Sequence, residues 1–359
     1  MGSRTTTSAK RKPTKRITVQ GTPYTVLRKL GKGGSGRVYQ VLSANNQSWA
    51  YKTVPLRHMD ERAKALIRNE VALLQSLNQT NRVVYLSHWA IDEAKNCLQM
   101  VMEMGQLDLD NLLKDRLTRS PKLDVPFVGH YWLEMLQCVA CIHRHDVVHS
   151  DLKPANFVLV HGTLKLVDFV IANSIPDDTI NVYQDHQAGT PNYMAPETLR
   201  VSNSTRSSAA DRTFKFGKPS DIWSLGCILY QFVYGLQPFA HIQGLAQKAM
   251  AITDPNHLID FDEEGLGDVH VPASFIRTMK ACLSRDPLAR PTAPSLLTNS
   301  DGLIGPKSKE PGVVYVSSRS LETVFRNALA DADAWASPEE LRTWTSDIME
   351  NLENTTPNV

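Results

Sequence analysis

Hydrophobic and polar positions between Tyr24 and Met104 fall into short runs punctuated by glycine, and the pattern predicts a sheet. Tyr24 to Leu30, Val38 to Leu42 and Ser48 to Val54 read as three strands, the first two joined by a Gly-rich turn. Ala63 to Leu77 changes period: Ala63, Leu66, Ile67, Leu73, Leu74 and Leu77 recur at helical spacing. Val83 to Ala90 and Leu98 to Met104 read as two further strands, so residues 24–104 hold a small, mostly antiparallel sheet with one helix. Beyond Gly105 the period becomes mostly helical. Tyr131 to Arg144 is long and amphipathic, Ser220 to Tyr234 strongly apolar with Trp223 as core, and Phe275 to Ser284 a third helix; Pro121, Pro238 and Pro255 separate elements. Residues 200–219 are Ser/Thr-rich and partly basic, which reads as a mobile surface insertion.

Both ends differ from the middle. Residues 1–23 read as a disordered basic tail, with Arg4, Lys10, Arg11, Lys12, Lys15 and Arg16 and no acidic or aromatic side chain in the first sixteen residues. The alternative is a localisation or anionic-surface patch. Residues 299–359 form an acidic extension, with nine acidic and three basic side chains in 310–359. Ser337, Pro338 and Glu340 have the spacing of a helix start, and Leu341, Trp344, Ile348 and Leu352 then share one apolar face. Docking back on the large lobe is the default reading for that face, with a partner helix or self-association as the alternatives.

Composition narrows the class. At one domain per ~150 residues, 359 residues suggest two domains or one large two-lobed one. A content of 42% hydrophobic and 21% charged residues fits a globular protein with a sizeable core. The net charge of +2 gives no global nucleic-acid-binding field, and direct nucleic-acid binding is not expected. Five cysteines, an odd number, fit a reducing compartment better than a disulfide scaffold. No run approaches the ~20 apolar residues of a membrane span, and the N-terminus lacks a signal peptide's apolar core. Secretion, a membrane and a metal-stapled module are thereby disfavoured.

Candidate chemistry sits in two places. In G-K-G-G-S-G-R-V, Gly31, Gly33 and Gly36 fit G-x-G-x-x-G, with Lys32, Gly34 and Ser35 between them and Val38 placed to cover an aromatic ring. Missing β-carbons let the backbone approach phosphate oxygens. A Rossmann loop would lead into a helix, whereas here a strand follows. Lys52, among apolar neighbours in W-A-Y-K, needs an anion, and Glu70 on the next helix is the natural partner. Further on, His149 to Asn156 reads H-S-D-L-K-P-A-N, and Asp168 follows the apolar strand Leu164 to Val167. Together these supply what phosphoryl transfer needs. Asp151 would accept the acceptor hydroxyl's proton, Lys153 neutralise the transferring phosphate, and Asn156 and Asp168 hold magnesium against the nucleotide.

These motifs, with A-P-E at Ala195 to Glu197, D-I-W-S-L-G from Asp221 and R-D-P-L-A-R-P from Arg285, resemble those of the eukaryotic protein kinases over residues 24–298. The resemblance implies an α+β, bilobal fold: an N-lobe over 24–104 with a small antiparallel sheet and one helix, and a larger, mostly helical C-lobe over 105–298. It implies ATP and Mg2+ as cofactors, Met102 as gatekeeper, and Glu103, Met104 and Gly105 as the hinge. Ala50 and Val158 would complete the adenine pocket, Glu197 would pair with Arg290, and Asp221 would anchor the catalytic loop. Lys153 with Thr190 looks like the serine/threonine class. V-M-E-M-G-Q-L-D-L, V-V-H-S-D-L-K-P-A-N-F, G-T-P-N-Y-M-A-P-E and D-P-N-H-L-I-D-F look like the narrower monopolar-spindle, TTK-like kinases. That match implies dual specificity, autophosphorylation with transient self-association, and protein substrates among kinetochore and spindle-checkpoint proteins. It also implies the nucleus, kinetochore and spindle pole with a cytoplasmic pool, and a longer protein of which this is the C-terminal portion.

Two departures qualify the resemblance. Ser150 stands where most kinases have an arginine that reads activation-segment phosphate. Val170 replaces the glycine of D-F-G, and a β-branched residue is confined where glycine is free. Val170 is expected to impede inversion of Asp168 and Phe169 more than magnesium binding; the alternative is a nucleotide-binding scaffold that transfers nothing. Thr179 in P-D-D-T-I is the expected autophosphorylation site and Ser174 the second, while Thr190 reads as a structural hydroxyl near the substrate. Cys138 and Cys141, with His143 and His145, have ligand-like spacing but lie within one helix and read as packing.

Overall fold

The computed structural model describes residues 15–33, 36–56, 61–168, 190–200 and 217–298. All belong to one compact unit, Met1–Ile304. Within the first hundred residues the chain forms β1 (Arg16–Val19), β2 (Thr22–Gly33), β3 (Gly36–Leu42), β4 (Ser48–Pro55), α1 (Glu61–Ser76), β5 (Leu86–Asp92) and β6 (Cys97–Glu103). The six strands form one antiparallel sheet in the order β1-β2-β3-β4-β6-β5. α1 lays Ile67 and Val71 on one face, against Leu56, Leu86, Leu98 and Met100. The other face buries Val19, Tyr24, Val41, Tyr51 and Val101.

β1 corrects the boundary of the basic tail, drawn at residue 23. Its return turn is Gln20-Gly21, both at positive φ (47° and 78°), the geometry whose twist matches a two-residue hairpin. Gln-Gly is a weaker sequence signal than Asn-Gly, so the sequence pattern does not predict this strand. The strand expected from Val83 starts instead at Leu86, because Val84 N donates to Leu166 O (3.1 Å) and Leu166 N to Arg82 O (2.9 Å).

The large lobe follows as β7 (Leu107–Asp108), α2 (Leu109–Arg119), α3 (Val125–Arg144), β8 (Phe157–Val160), β9 (Thr163–Leu166), α4 (Pro196–Arg200), α5 (Lys218–Tyr234), α6 (Leu245–Thr253), the short β10 (Glu264–Gly265) and β11 (Val269–His270), α7 (Ala273–Cys282) and α8 (Ala293–Thr298). Asp108 caps α2 by accepting from Asn111 N, and Asp124 caps α3 by accepting from Phe127 N with Pro126 in the first turn. α3 therefore begins at Val125, earlier than Tyr131. By length and composition it would suffice to cross a membrane, contrary to the sequence expectation, yet 56% of that stretch is buried. Trp132, Met135 and Leu136 lie in the core with Phe157, Trp223, Phe232 and Phe275.

α5 is the axis of this lobe, with Asp221 to Leu229 wholly buried, and it packs on both α3 and α7. Gly217 precedes it and Pro219 sits in its first turn, so the insertion drawn to residue 219 ends earlier. Residues 201–216 of that insertion and the acidic extension lie outside the described residues.

Candidate active site

Lys52 is 5% exposed on β4, in register with Val38 of β3 and Met100 of β6. Its Nζ lies 2.8 Å from Asp168 Oδ1. Asp168 follows β9 closely and has φ +58°, a left-handed turn of the backbone that few non-glycine residues adopt. Burial alone would raise its carboxyl; the charge and hydrogen bond of Lys52, with His149 and Lys153 adding to them, outweigh that and hold it below the ordinary value. Lys52 thus meets Asp168 among the described residues, while the expected partner Glu70 lies on α1 with its side chain outside them.

The glycine loop is the tip of the β2–β3 hairpin, with Gly31 opposite Val38, Lys32 opposite Arg37 and Gly33 opposite Gly36. Gly36 has φ +145°, and a β-carbon there would meet Thr53 O at 2.1 Å, so only glycine lets β3 lie this close to β4. Gly34, Ser35 and the side chain of Lys32 lie outside the described residues.

The catalytic-loop motif hangs on one buried carboxylate. Asp221, 0% exposed at the start of α5, accepts from His149 N (2.9 Å), Ser150 N (2.9 Å) and His143 Nε2 (2.8 Å). Ser150 sits at φ +66°, and its buried Oγ finds no hydrogen-bond partner among the described residues. His149 Nε2 donates to Val167 O (2.9 Å) and its Nδ1 accepts from Asp151 N (3.4 Å), which ties the loop to the residue before Asp168. Lys153 Nζ lies 2.7 Å from Asp151 Oδ2. Asn156 Nδ2 donates to Asp151 O (2.7 Å), and Val167 N donates to Asn156 O (2.9 Å). The structure therefore joins Lys52, Asp151, Lys153, Asn156 and Asp168 in one polar network. His149 and His143 were not assigned roles from sequence. The spacing of His143 in the sequence reads as helix packing, and only the fold brings it to Asp221, 78 residues away.

Around the hinge, Ala50 faces Met102 across β4 and β6. Gly105 lies so close to Val158 that a β-carbon would approach its side chain at 2.8 Å. Glu103 turns its carboxylate to Lys165 Nζ (2.8 Å and 3.1 Å) and to Tyr85 N (3.2 Å), a clamp no local sequence signal announced. Behind Met102 a small cavity of about 30 Å³ is lined by Lys52, Leu74, Val83, Val84, Leu86, Met100, Met102 and Asp168. Met100 and Met102 thus share one face, as positions i and i+2 of a strand must.

Below the cleft, Glu197 takes both terminal nitrogens of Arg290 (2.7 Å and 2.8 Å). Arg290 also lies 5.1 Å from the centre of the Trp223 ring. Thr190 opens the short turn Thr190–Tyr193; its side chain, and Val170, Ser174 and Thr179 altogether, lie outside the described residues. Cys138 and Cys141 are buried on α3, where Cys138 Sγ donates to Leu164 O.

Residues 24–300 match the protein kinase domain family. The serine/threonine-protein kinase MPS1 of Saccharomyces cerevisiae is 39% identical over 316 residues, which cover 87% of this chain and 40% of the yeast protein. The dual specificity protein kinase TTK of Mus musculus is 43% identical over 284 residues, covering 79% and 32%. The serine/threonine-protein kinase mph1 of Schizosaccharomyces pombe is 41% identical over 296 residues, covering 79% and 43%. The chain spans less than half the length of these curated relatives.

Proposed function

The chain belongs to the protein kinase family, with its likeness to the TTK group, and from that premise we propose that it transfers the terminal phosphoryl of ATP to serine and threonine, and also tyrosine, of proteins. The observation that carries this reading is the network in which Lys52 pairs with Asp168, Asn156 holds the carbonyl of Asp151, and Asn156 and His149 both bond the backbone of Val167, the residue before Asp168.

The residues fit a magnesium nucleotide. Asp168 is held ionised, and Asn156 commits its amide NH2 to Asp151 O, which leaves its carbonyl oxygen as the ligand atom. A carboxylate and an amide carbonyl form the oxygen donor set a hard cation takes. Magnesium, when bound there, neutralises phosphate charge. Lys52, desolvated on β4, supplies a fixed positive charge for phosphate oxygens. Asp151 has one carboxylate oxygen on Lys153, and the other is available to orient the acceptor hydroxyl and take its proton. As the acceptor oxygen bonds to the terminal phosphorus, the bridging P–O bond breaks and its electron pair leaves with ADP. Lys153, beside Asp151, offers its charge to the phosphoryl group in transit.

The wider role follows from the TTK-like motifs: checkpoint signalling in mitosis, on kinetochore or spindle-checkpoint proteins, in the nucleus and at kinetochores and spindle poles, with Thr179 autophosphorylated in trans. The test is magnesium-dependent transfer of labelled phosphate from ATP to dephosphorylated casein by the parent, Asp151→Ala and Val170→Gly. Transfer by the parent that falls at least a thousandfold in Asp151→Ala supports the reading. No transfer by the parent together with robust transfer by Val170→Gly would instead establish the scaffold.

A further inference from the structure

α6 carries a buried charge that the phosphoryl-transfer network does not use. Lys248 is 8% exposed, and its polar partner is neutral: Nζ donates to Asn192 Oδ1 at 2.5 Å. Among the described residues no carboxylate pairs with it, and burial lowers its pKa with no opposing charge. A buried ammonium without an anion is destabilising. Its helix is anchored at its C-terminal end, because Arg285 binds the carbonyls of Ala251 and Ile252 in α6 and of His257 just beyond it.

What the lysine holds is the turn that begins at Thr190. Asn192 is itself buried, and its Nδ2 donates to Gln237 Oε1 (3.4 Å). Gln237 Nε2 donates to the hydroxyl of Tyr193 (2.7 Å), which in turn donates to Gln231 Oε1 (2.6 Å). Ser224 Oγ donates to the carbonyl of Tyr193 (2.8 Å). Burial raises the Tyr193 pKa, so the phenol stays protonated and the chain of donors keeps one direction. Asn192 and Tyr193 precede Ala195 to Glu197 on the segment that leads to the Glu197–Arg290 pair.

We propose that Lys248 is a positioning residue for the protein substrate, fixing through Asn192 and Tyr193 the turn opened by Thr190, the hydroxyl read above as lying near the substrate. This rests on the kinase reading above. A purely structural lysine would make a different forecast: replacing a buried, unpaired charge with methionine leaves the fold as stable or more so, and leaves kinetics alone.

The test compares the parent with Lys248→Met, Lys248→Arg and Asn192→Leu, using dephosphorylated casein. Lys248→Met is expected to lower kcat/KM for casein about tenfold, chiefly through KM, with the KM for ATP within about twofold and the thermal midpoint unchanged or raised. Lys248→Arg should recover most of the loss. Asn192→Leu should reproduce it, and the double variant should add nothing further, as for residues acting in one chain. Casein kinetics within about twofold of the parent in Lys248→Met, or equal losses toward ATP and casein, would overturn the proposal. Amide exchange at Asn192 and Tyr193 needs no turnover, so it separates the two readings. Faster exchange in Lys248→Met of an inactive parent retains the lysine's role while the kinase reading falls, and unchanged exchange removes it.

Discussion

Lys52 and Asp168 make the cleft's chemistry sensitive to acid. Burial works against the Asp168 carboxylate, Lys52 works for it, and Lys52 prevails, so the folded value lies below the unfolded one. For a depressed carboxyl the stabilisation is complete above the unfolded value, about 3.9, and is lost as pH falls through the lower folded value. Because 37% of the Asp168 side chain remains open to solvent, screening limits the effect to about 1 kcal/mol or less. Thermal midpoints taken from pH 6 down to pH 2 should therefore fall more steeply in the parent than in Asp168→Asn, which has no proton to gain. Parallel acid limbs in the two proteins would place the Lys52 charge elsewhere.

At the scale of elements, the catalytic loop has little structure of its own and borrows rigidity from α5. Asp221 meets three donors from α3 and the loop at full burial. Asparagine offers one oxygen and an NH2 in place of two acceptors, leaving at least one buried N–H unpaired, at about 1–3 kcal/mol. Asp221→Asn is expected to lower the urea midpoint accordingly and to reduce kcat at least tenfold, since the bond from Ser150 N to Asp221 helps hold Ser150 at its positive φ. Unfolding and phosphate-transfer assays on one preparation check both. Much of this was legible beforehand. The glycine loop, Lys52, the loop from His149 to Asn156 and Asp168 carry local spacing, and their strands and helices carry clear periods. α2, capped at Asp108, and the hairpin turn His161-Gly162 between β8 and β9 were missed, because a short polar helix and a two-residue turn leave weak patterns. The histidines at Asp221, the Glu103–Lys165 clamp and the neighbour of Lys248 join residues tens of positions apart, and no window along the chain contains such pairs.

The whole molecule divides at a different place from its sequence. Leu77 and Val83 precede β5 of the small lobe, yet they pack in the core of the large one. Arg82 lies between them. Its carbonyl accepts from Leu166 N, and its guanidinium grips Glu134 of α3 (Nη1 to Oε2, 2.7 Å) and Gln137. Glu134 in turn accepts from Leu164 N (3.3 Å) on β9. The segment from Leu77 to Val84 is therefore a strap sewn to α3 and β9, and the two lobes are joined both there and at the hinge. Any swing of the small lobe must pivot between these attachments, with α1 leaving from the strap. Removing either half of the partly buried Arg82–Glu134 pair strands the other, so Arg82→Ala and Glu134→Ala should each cost about 1–3 kcal/mol. Because they serve one contact, the double variant should fall short of the sum by about 0.5–3 kcal/mol. Amide exchange at Leu164 and Leu166 should quicken in both single variants while β2 and β3 stay protected. If the losses add and β9 exchanges as before, the strap is not what couples the lobes, and the hinge alone carries the link.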